Sequence, residues 1–490
     1  MFSELAGELA GPGTAGMTAF QLEELVDERG RELQRQLLQD HLNLRAAREE
    51  QQARERRAPV TGTDGITRTR LETGHGRLLA TLFGTVRVPR CAWRSPGTGN
   101  FCPADAALSL PAGRHSHSLA RLAVIEAARG SFGAAHAAIA RRCGPVMGKR
   151  QAEDAVVHAA ADIPAFYAAR VPEPCTFSTL VVLSADSKGI VMRPGALREA
   201  TARAAARLGK MRTRLSSGEK PNRKRMATLA AVYDAEPAKR RPHDVIAPPG
   251  GRRGSREPRK GPRARAKWLS GSVRNDPADV IAAAFDQAEA RDPGHRRTWV
   301  VLVDGAEHQL DLIRAEAARR DVTIHVVIDI IHVLEYLWKA AWSLHAAGDP
   351  AVEDWVAVKA LAVLAGDSAR AAEEITAEAG AAGLEGSQRN GAGTCVRYLN
   401  GRYEYLRYDQ ALEAGWPIAT GIIEGACRHL IADRLDIGGA RWGLDGAEAV
   451  LTLRAVISIG DFDEYWRFHL AREHQRLYPG ADQGKYTLGA

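Results

Sequence analysis

The chain has 490 residues, with 67 lysines and arginines against 59 aspartates and glutamates, a formal net charge of +8 at pH 7. A chain of this length buries a large core and is expected to form two to four domains. The first residues lack a basic segment followed by a long apolar run, and no apolar segment reaches the roughly 18 residues that a membrane helix needs. From these features we expect neither a secretory signal nor a membrane helix, and a soluble, cytoplasmic protein.

The spacing of the cysteines indicates the state of the thiols, and the clustering of positive charge indicates the kind of binding partner. The six cysteines are scattered and form no CxxC pair. Reduced thiols are the first interpretation, and a Cys91/Cys102 metal or disulfide pair is the alternative. Between Arg252 and Lys267, eight lysines and arginines accompany a single glutamate. Such a run is often a solvated linker, but together with other basic segments it favours a polyanionic partner.

Residues 1–110 predict a long helix followed by a small β module. Residues 18–57 have a helical spacing of apolar side chains at Leu22, Leu25, Val26, Leu33, Leu37 and Leu44. This helix could pack on the rest of the protein or pair with a second copy. The segment "GRLLATLFGTVRVPRCAWR" alternates apolar and polar residues, which predicts a β-hairpin with Gly84 in its turn.

Residues 111–172 predict a helical region. Two short helices flank the turn "RCGPVMGK", an arrangement that suits a helix-turn-helix. The second helix would then carry Lys149, Arg150 and Gln151 at its start, where base edges are met. An ordinary helical hairpin in a packed bundle is the alternative.

Residues 173–345 predict the first part of a mixed α/β core. The run "TFSTLVVLSAD" predicts a buried strand with a break after Asp186 and a second strand beyond it, and "RMATLAAVYDAEP" predicts a third. Residues 240–267 are expected to form a long loop. Two strand–helix units follow, with Asp304 and Asp329 at the strand ends and His332 one turn into the second helix. Three strands followed by these units make a mixed sheet.

Residues 346–415 are predicted to be an all-helical insertion, and residues 416–490 to return to the core as helices. The first of these helices, "TGIIEGACRHLIADRLD", has Glu424 among isoleucines, glycines and alanine. A solvated acid would not be expected among these neighbours, so the position of Glu424 requires an explanation.

The acids at the strand ends suggest a chemical role. Strand ends of α/β sheets expose side chains where ligands bind, although a single aspartate there is usually a cap or a turn residue. Asp186 and Asp304 follow two separate β runs, and Glu424 supplies a third acid. Grouped carboxylates repel one another unless a cation lies between them, and Mg²⁺ prefers such oxygen ligands. The three acids therefore predict a two-metal site, which aligns oxygens for phosphoryl transfer.

Four segments resemble the ISKra-type bacterial insertion-sequence transposases, which are related to the Mutator-like DDE transposases. They are "VVLSADSKGIVMRP", "VVLVDGAEHQLD", "VVIDIIHVLEYLWKAAW" and "GWPIATGIIEGACRHLIADRLDIGGARWGLDGAEAVLTLRA". The resemblance covers residues 181–469, and the N-terminal third matches only in general layout.

The resemblance implies an RNase H-like core with a helical insertion, preceded by a mainly helical DNA-binding region. It assigns Asp186, Asp304 and Glu424 as the catalytic and metal-binding acids. Asp329 and His332 match a family motif in its Asp form, and they are expected to support the site, with Asp329 as a ligand in the alternative.

The resemblance also implies the cofactor and the reaction. Two Mg²⁺ ions are expected, with Mn²⁺ as a substitute. Metal-activated water cuts a strand at the element's end, and the released 3′-hydroxyl attacks target DNA. The partners are then DNA, as terminal repeats and target, and a second copy of the chain, with no membrane. We therefore expect the protein in the bacterial cytoplasm, associated with the nucleoid when it is bound to DNA.

Cationic and aromatic residues around the acids predict DNA contacts. Arg428, Arg434 and Arg441 are expected to bind phosphate. Trp442 could stack on an unpaired base near the cut, or it could be a core aromatic under the last helix. His332 and Lys188 could contact phosphate or orient water, and a purely structural role is the alternative for both. A metal-dependent nuclease without strand transfer, or a DNA-binding protein without activity, are the alternative functions.

Overall fold

The computed structural model describes residues 2–56, 58–207, 223–251, 257–346 and 348–479. The chain forms two compact units, Met1–Ala169 with Gly460–Ala490, and Arg170–Ile459. The sequence prediction kept residues 416–490 together in the core, whereas the structure assigns the final helix, Phe462–Leu477, to the first unit. A buried ion-pair network explains this assignment, because Asp162 accepts hydrogen bonds from His469, Arg472 and Arg476 on that helix.

The first unit contains the long helix and the hairpin that the sequence predicts. Its elements before the final helix are α1 (Phe2–Ala10), α2 (Ala19–Arg56), β1 (Val60–Thr61), β2 (Thr67–Arg68), β3 (Arg70–Thr81), β4 (Gly84–Arg94), α3 (Pro103–Ala107), α4 (His117–Arg129), α5 (Phe132–Cys143), α6 (Lys149–Ala159) and α7 (Ile163–Ala169).

Helix α2 packs along β4. The Gln39 side chain accepts from the Arg87 N–H at 2.8 Å and donates to the Arg87 carbonyl at 2.7 Å, so it pairs with this edge strand as a neighbouring strand would. Of the predicted stripe, Leu22, Leu25 and Leu33 are half-buried, whereas Val26, Leu37 and Leu44 are exposed. Only part of the predicted apolar stripe is therefore covered within the unit.

Helices α4, α5 and α6 pack on one another around the predicted turn. Ser116 and Ser131 cap α4 and α5 by accepting backbone N–H groups, and Gly144 ends α5 with a positive φ of 77°. Leu119, Ile139 and Met147 belong to the shared core. The two helices and the turn are confirmed, and binding of DNA by this region remains a prediction.

The second unit contains a five-stranded mixed sheet, which confirms the predicted mixed α/β class. Its strands are β5 (Leu180–Val191), β6 (Lys224–Ala235), β7 (Ala264–Ser272), β8 (Trp299–Val303) and β9 (Ile324–Ile328). The order across the sheet is β7-β6-β5-β8-β9. Strands β7, β6 and β5 are antiparallel neighbours, and β5, β8 and β9 are parallel.

Two predictions about these strands are wrong. No break follows Asp186, because β5 is one strand that pairs with β6 without interruption from Leu180 to Val191. Backbone pairing with β6 keeps the polar residues after Asp186 in the strand. The predicted loop at residues 240–267 also ends too late, because β7 begins at Ala264. Residues 252–256 of the basic run lie outside the described residues.

The helices of this unit are α8 (Glu199–Arg207), α9 (Pro242–Val245), α10 (Pro277–Arg291), α11 (Glu307–Arg319), α12 (Ile330–Leu344), α13 (Ala351–Leu364), α14 (Ser368–Ala381), α15 (Asn390–Gly401), α16 (Tyr408–Ala414), α17 (Gly421–Ala426) and α18 (Leu444–Ser458), and α19 is the final helix, Phe462–Leu477. After α17 the chain continues as a π-helix, Cys427–Ala432. Described residues 348–415 contain helices and no strand, as predicted.

The packing of the second unit explains its apolar strands. Helix α10 packs on β5 and β6, α17 packs on the same two strands, and α18 packs on β7. Every residue of β5 from Leu180 to Ala185 is buried, as expected for a strand covered on both faces. No helix within the described residues is long and apolar enough to cross a bilayer.

Candidate active site across three parallel strands

Three aspartates lie level with one another across the parallel strands. Ser184 pairs with Leu302, so two residues further along both chains Asp186 comes level with Asp304. Val303 pairs with Ile328, so the next residues, Asp304 and Asp329, are also level. Neighbouring strands are about 4.8 Å apart. We call Asp186, Asp304 and Asp329 the aspartate row.

Asp186 and Asp304 are half-buried, and local donors orient each carboxylate. The Asp186 Oδ1 accepts the Ser187 N–H at 2.6 Å, and its Oδ2 accepts the Cys427 thiol at 3.1 Å. The Asp304 Oδ1 accepts the Ala306 N–H at 2.9 Å, which fixes the turn after β8. Both carboxylates keep acceptor positions that these bonds do not use.

Asp329 differs from the other two because it is buried, with 4% exposure. Its Oδ1 accepts the Ile331 N–H at 2.8 Å and caps α12, while its Oδ2 accepts the Thr420 hydroxyl. Both oxygens are therefore engaged by the protein. His332, in the first turn of α12, is half-buried and its ring is 5.6 Å from that of Tyr336.

The segment that contains Glu424 spans the row from end to end. Thr420 is bonded to Asp329, and Cys427 is bonded to Asp186. Positions 420, 424 and 427 are separated by four and three residues, so they share one face of the helix. Glu424 therefore lies on the face that meets the row, between these two contacts, and it is exposed.

The apolar neighbours of Glu424 now have an explanation. Ile423 and Ala426 are buried, consistent with the packing of α17 on β5 and β6. Burial raises the pKa of the Cys427 thiol, and the charges of Asp186 and Glu424 raise it further. The thiol therefore keeps its proton at neutral pH and remains a donor to Asp186. The helix widens into its π-turn at this same residue, a distortion that is frequent at functional sites.

The three acids are of the ligand type that a divalent cation prefers, but their side chains are too far apart to bind one ion together. Carboxylate oxygens are what Mg²⁺ prefers. Within the described ranges, however, no group of three or more His, Cys, Asp or Glu side chains is close enough together to hold a metal ion. Metal binding by Asp186, Asp304 and Glu424 thus requires their side chains to move together. The six cysteines are free, so Cys91 and Cys102 form no disulfide.

No protein-family model matches this chain, and no curated protein matches it. Its function is therefore inferred from its own residues.

Two of the predicted DNA contacts are buried, which corrects their assignment. Arg434 is 3% exposed, and its guanidinium lies 4.7 Å from the centroid of the Trp442 ring. Burial lowers the pKa of Arg434 to about 10. Trp442 is 7% exposed and donates its indole N–H to the Leu435 carbonyl at 2.9 Å. The chain returns to β5 here, since the Trp442 N–H donates to the Val191 carbonyl at 3.1 Å. Trp442 is a core aromatic, not an open stacking surface.

The remaining predicted DNA contacts are accessible in their own units. Arg428 and Arg441 are exposed in the second unit, and Lys188 is half-buried two residues beyond Asp186 on β5. In the first unit, Lys149 and Arg150 are exposed at the start of α6.

Neighbouring side chains in the first unit are already engaged. Arg150 lies 3.4 Å from an oxygen of Asp154. The Gln151 side chain accepts the Gly148 N–H at 2.8 Å, so it caps the helix and its carbonyl oxygen does not face outward for base recognition.

The sequence interpretation missed three residues at the site. Thr420 and Cys427 share the helical spacing of Glu424, and that spacing was the signal that could have identified them. Tyr398 on α15 donates to the Asp304 carbonyl at 3.1 Å. It lies 94 positions away in the helical insertion, where no sequence pattern connects it to Asp304.

Proposed function

We propose that the protein is a metal-dependent DNA transposase with an RNase H-like core, which cuts DNA strands at the ends of a mobile element and joins them to target DNA. The observation that carries this proposal is the level alignment of Asp186 and Asp304 on adjacent parallel strands, with Glu424 on the helix face that meets them.

The topology of the sheet supports the RNase H-like core. Three antiparallel strands come first in the chain, and two parallel strands joined by a helix follow them on the other side of β5. A mixed sheet of this kind is compatible with an RNase H-like core. The helical segment between Asp304 and Glu424 also falls where that resemblance implies an insertion.

Asp186, Asp304 and Glu424 would hold the divalent ions. When bound, Mg²⁺, or Mn²⁺ in its place, supplies charge neutralisation for in-line phosphoryl transfer. The protein's own groups position the DNA. Glu424 is exposed, so a phosphodiester can approach it from solvent, and Arg428 and Arg441 offer cations on the chain that follows.

Asp329 and Thr420 hold the start of the Glu424 segment to the sheet. Because a positional error of about 1 Å can cost about a hundredfold in rate, this anchor serves catalysis without touching the substrate. Lys149 and Arg150, on the first unit, supply phosphate contacts along duplex DNA. Such contacts make the binding sensitive to salt.

A second function, DNA binding without catalysis, is favoured by one observation. The three acids are not close enough together to hold a metal ion, and Cys427 already donates to Asp186. A site of this kind could hold the fold together through hydrogen bonds alone.

Incubation with an element-end duplex, Mg²⁺ and a target plasmid separates these functions. We expect cut and joined products from the wild type and none from Asp304→Asn. Asp311→Asn, which alters an exposed aspartate on α11, is the matched control and should retain activity. Cutting without joining indicates a nuclease. Binding without either product, unchanged in Asp304→Asn, refutes the transposase proposal.

A further inference from the structure

Helix α2 has an apolar stripe that its own unit leaves exposed. Val26, Leu37 and Leu44 are 45%, 61% and 52% exposed, and on the opposite side of the helix Leu38 and Leu42 pack against the hairpin. Residues along the stripe are separated alternately by four and three positions, which is the spacing of a coiled-coil contact. They are Val26, Gly30, Leu33, Leu37, Asp40 and Leu44. We call these six residues the α2 seam.

Helix α1 does not cover the α2 seam. It lies beside α2, where Glu8 pairs with Arg29 at 3.4 Å, and no residue of α1 is buried. Both partners of this ion pair are exposed to solvent, so the pair contributes little stability. Arg29 can therefore exchange Glu8 for another acid.

Gly30 is the residue of the α2 seam that its own chain does not explain. Among the described residues, a Cβ atom added at Gly30 would meet nothing within 4 Å. Glycine in the interior of a helix is less favourable than alanine. Neither the helix nor its packing within the unit therefore favours glycine at this position, whereas a partner that lies against the seam supplies a reason for it.

The order of residues along the α2 seam is self-complementary. When a second copy of the seam runs in the opposite direction, Val26 faces Leu44 and the two central leucines face each other, each pair occurring twice. Gly30 then faces Asp40. All four large apolar residues therefore meet apolar residues, and the one acid meets the one position without a side chain, where water still reaches the carboxylate.

Charge favours the antiparallel direction over the parallel one. A parallel pair places Asp40 against Asp40 of the second copy, and two carboxylates in one layer repel each other. In the antiparallel pair, Asp27 lies opposite His41 and Arg29 lies opposite Asn43, so no like charges meet beside the α2 seam. Arg29 also precedes Gly30, so its guanidinium flanks the layer that contains Asp40 of the second copy.

We propose that two copies of this chain pair through the α2 seam as an antiparallel coiled coil. The seam spans 18 positions of α2, about 27 Å of helix, and each copy contributes four large apolar side chains to the contact. The proposal does not rest on the proposed function. It uses only residues of the first unit, which the resemblance over residues 181–469 does not reach, and it requires neither DNA nor metal.

Sedimentation equilibrium of the full chain without DNA tests the pairing. At tens of micromolar we expect a mass of twice the 53.0 kDa of one chain. Leu37→Lys places a charge in the α2 seam and should raise the dissociation constant of the dimer at least about tenfold, because each copy loses a buried leucine from the contact. Leu78→Lys is the matched control, since Leu78 is 52% exposed on β3 of the same unit, and it should leave the dimer unchanged. Thermal unfolding verifies that both variants are folded.

Cysteine crosslinking tests the direction of the pair. The midpoint of the paired seams falls between Leu33 and Leu37, so exposed Gln34 lies close to Gln34 of the second copy. Gln34→Cys should therefore form a disulfide between two copies on mild oxidation. Gln51→Cys, also exposed on α2, should form none, because in the antiparallel pair the two positions are about 48 Å apart, whereas a parallel pair brings them together. Mass spectrometry of unreduced peptides identifies which cysteines are joined.

The outcomes separate the pairing from its direction. A dimer that Leu37→Lys weakens and Gln34→Cys crosslinks supports the proposal. A monomeric wild type, or a dimer that Leu37→Lys and Leu78→Lys leave equally stable, overturns it. A dimer in which Gln34→Cys forms no disulfide, or in which Gln51→Cys forms one, overturns the antiparallel direction. Because neither DNA nor metal enters these measurements, every outcome is independent of the transposase proposal.

Discussion

Removal of the Thr420 hydroxyl should loosen the segment that carries Glu424. Thr420 is 7% exposed and Asp329 is 4% exposed, so water does not replace the lost donor. Thr420→Val keeps the shape of the side chain and removes only the hydrogen bond to the Asp329 carboxylate. The Ile331 N–H remains as the other donor to that carboxylate.

The expected magnitude follows from the charge and the burial. A hydrogen bond to a charged group contributes about 1.5–3 kcal/mol, and the buried carboxylate loses one of two donors. Local opening of residues 421–432 in the wild type has to break this bond. In Thr420→Val the bond is already missing, so the free energy of local opening is lower by the same amount. Because about 1.4 kcal/mol corresponds to a factor of ten, backbone amide exchange there should accelerate about 10- to 150-fold.

Hydrogen–deuterium exchange followed by mass spectrometry measures this effect on peptides from residues 421–432. Thr376→Val is the matched control, because the Thr376 hydroxyl donates at 2.8 Å to a carbonyl one turn earlier in its own helix. That variant should leave exchange of the segment unchanged. Acceleration of less than about threefold in Thr420→Val would refute the anchoring role of the Asp329–Thr420 bond.

Three further predictions test other parts of the second unit. Gly391→Ala should lower the free energy of unfolding by about 1–3 kcal/mol, since its Cβ meets backbone, whereas Gly393→Ala on the same helix should be neutral or stabilising in urea titrations. Cys427 should react far more slowly with iodoacetamide than exposed Cys175, because burial and two nearby acids raise its pKa. Hydrogen bonds from two arginines lower the pKa of Glu316 to about 2, so its stabilising effect is complete above pH 4.5 and is lost as the pH falls towards 2. Thermal unfolding of Glu316→Gln should accordingly be less sensitive to acid across that window.

Each of these has a result that would contradict it. Equal losses in Gly391→Ala and Gly393→Ala would deny the close approach of α15. Faster labelling of Cys427 than of Cys175 in the native protein would deny its burial. A Glu316→Gln variant as acid-sensitive as the wild type would deny the contribution of the arginine bonds.

The local features of the fold could be predicted from the sequence because short patterns encode them. Period-two alternation with Gly84 gave the hairpin, and apolar runs ending in aspartate gave β8 and β9. The level alignment of Asp186 and Asp304 could only be anticipated in outline. The alignment depends on the register in which β5 pairs with β8, and these strands are far apart in the sequence.

What could not be predicted depends on contacts between distant residues. The break expected after Asp186 is absent because β6 pairs along the whole of β5. The sequence left Trp442 open between a stacking surface and a core aromatic, and its backbone bonds to β5, which bury it, decide for the core. Tyr398 reaches Asp304 only because the helices between them fold back, and a linear sequence carries no sign of that return.

Binding of Mn²⁺ tests the central claim most directly, since it asks whether Asp186, Asp304 and Glu424 act as one site. Electron paramagnetic resonance titrations, with element-end DNA present, count the ions bound by the wild type and by Asp186→Asn, Asp304→Asn and Glu424→Gln. We expect saturable binding in the wild type and its loss in each of the three variants, with Asp311→Asn unaffected. Saturable binding that survives all three substitutions, or none in the wild type, would contradict the claim.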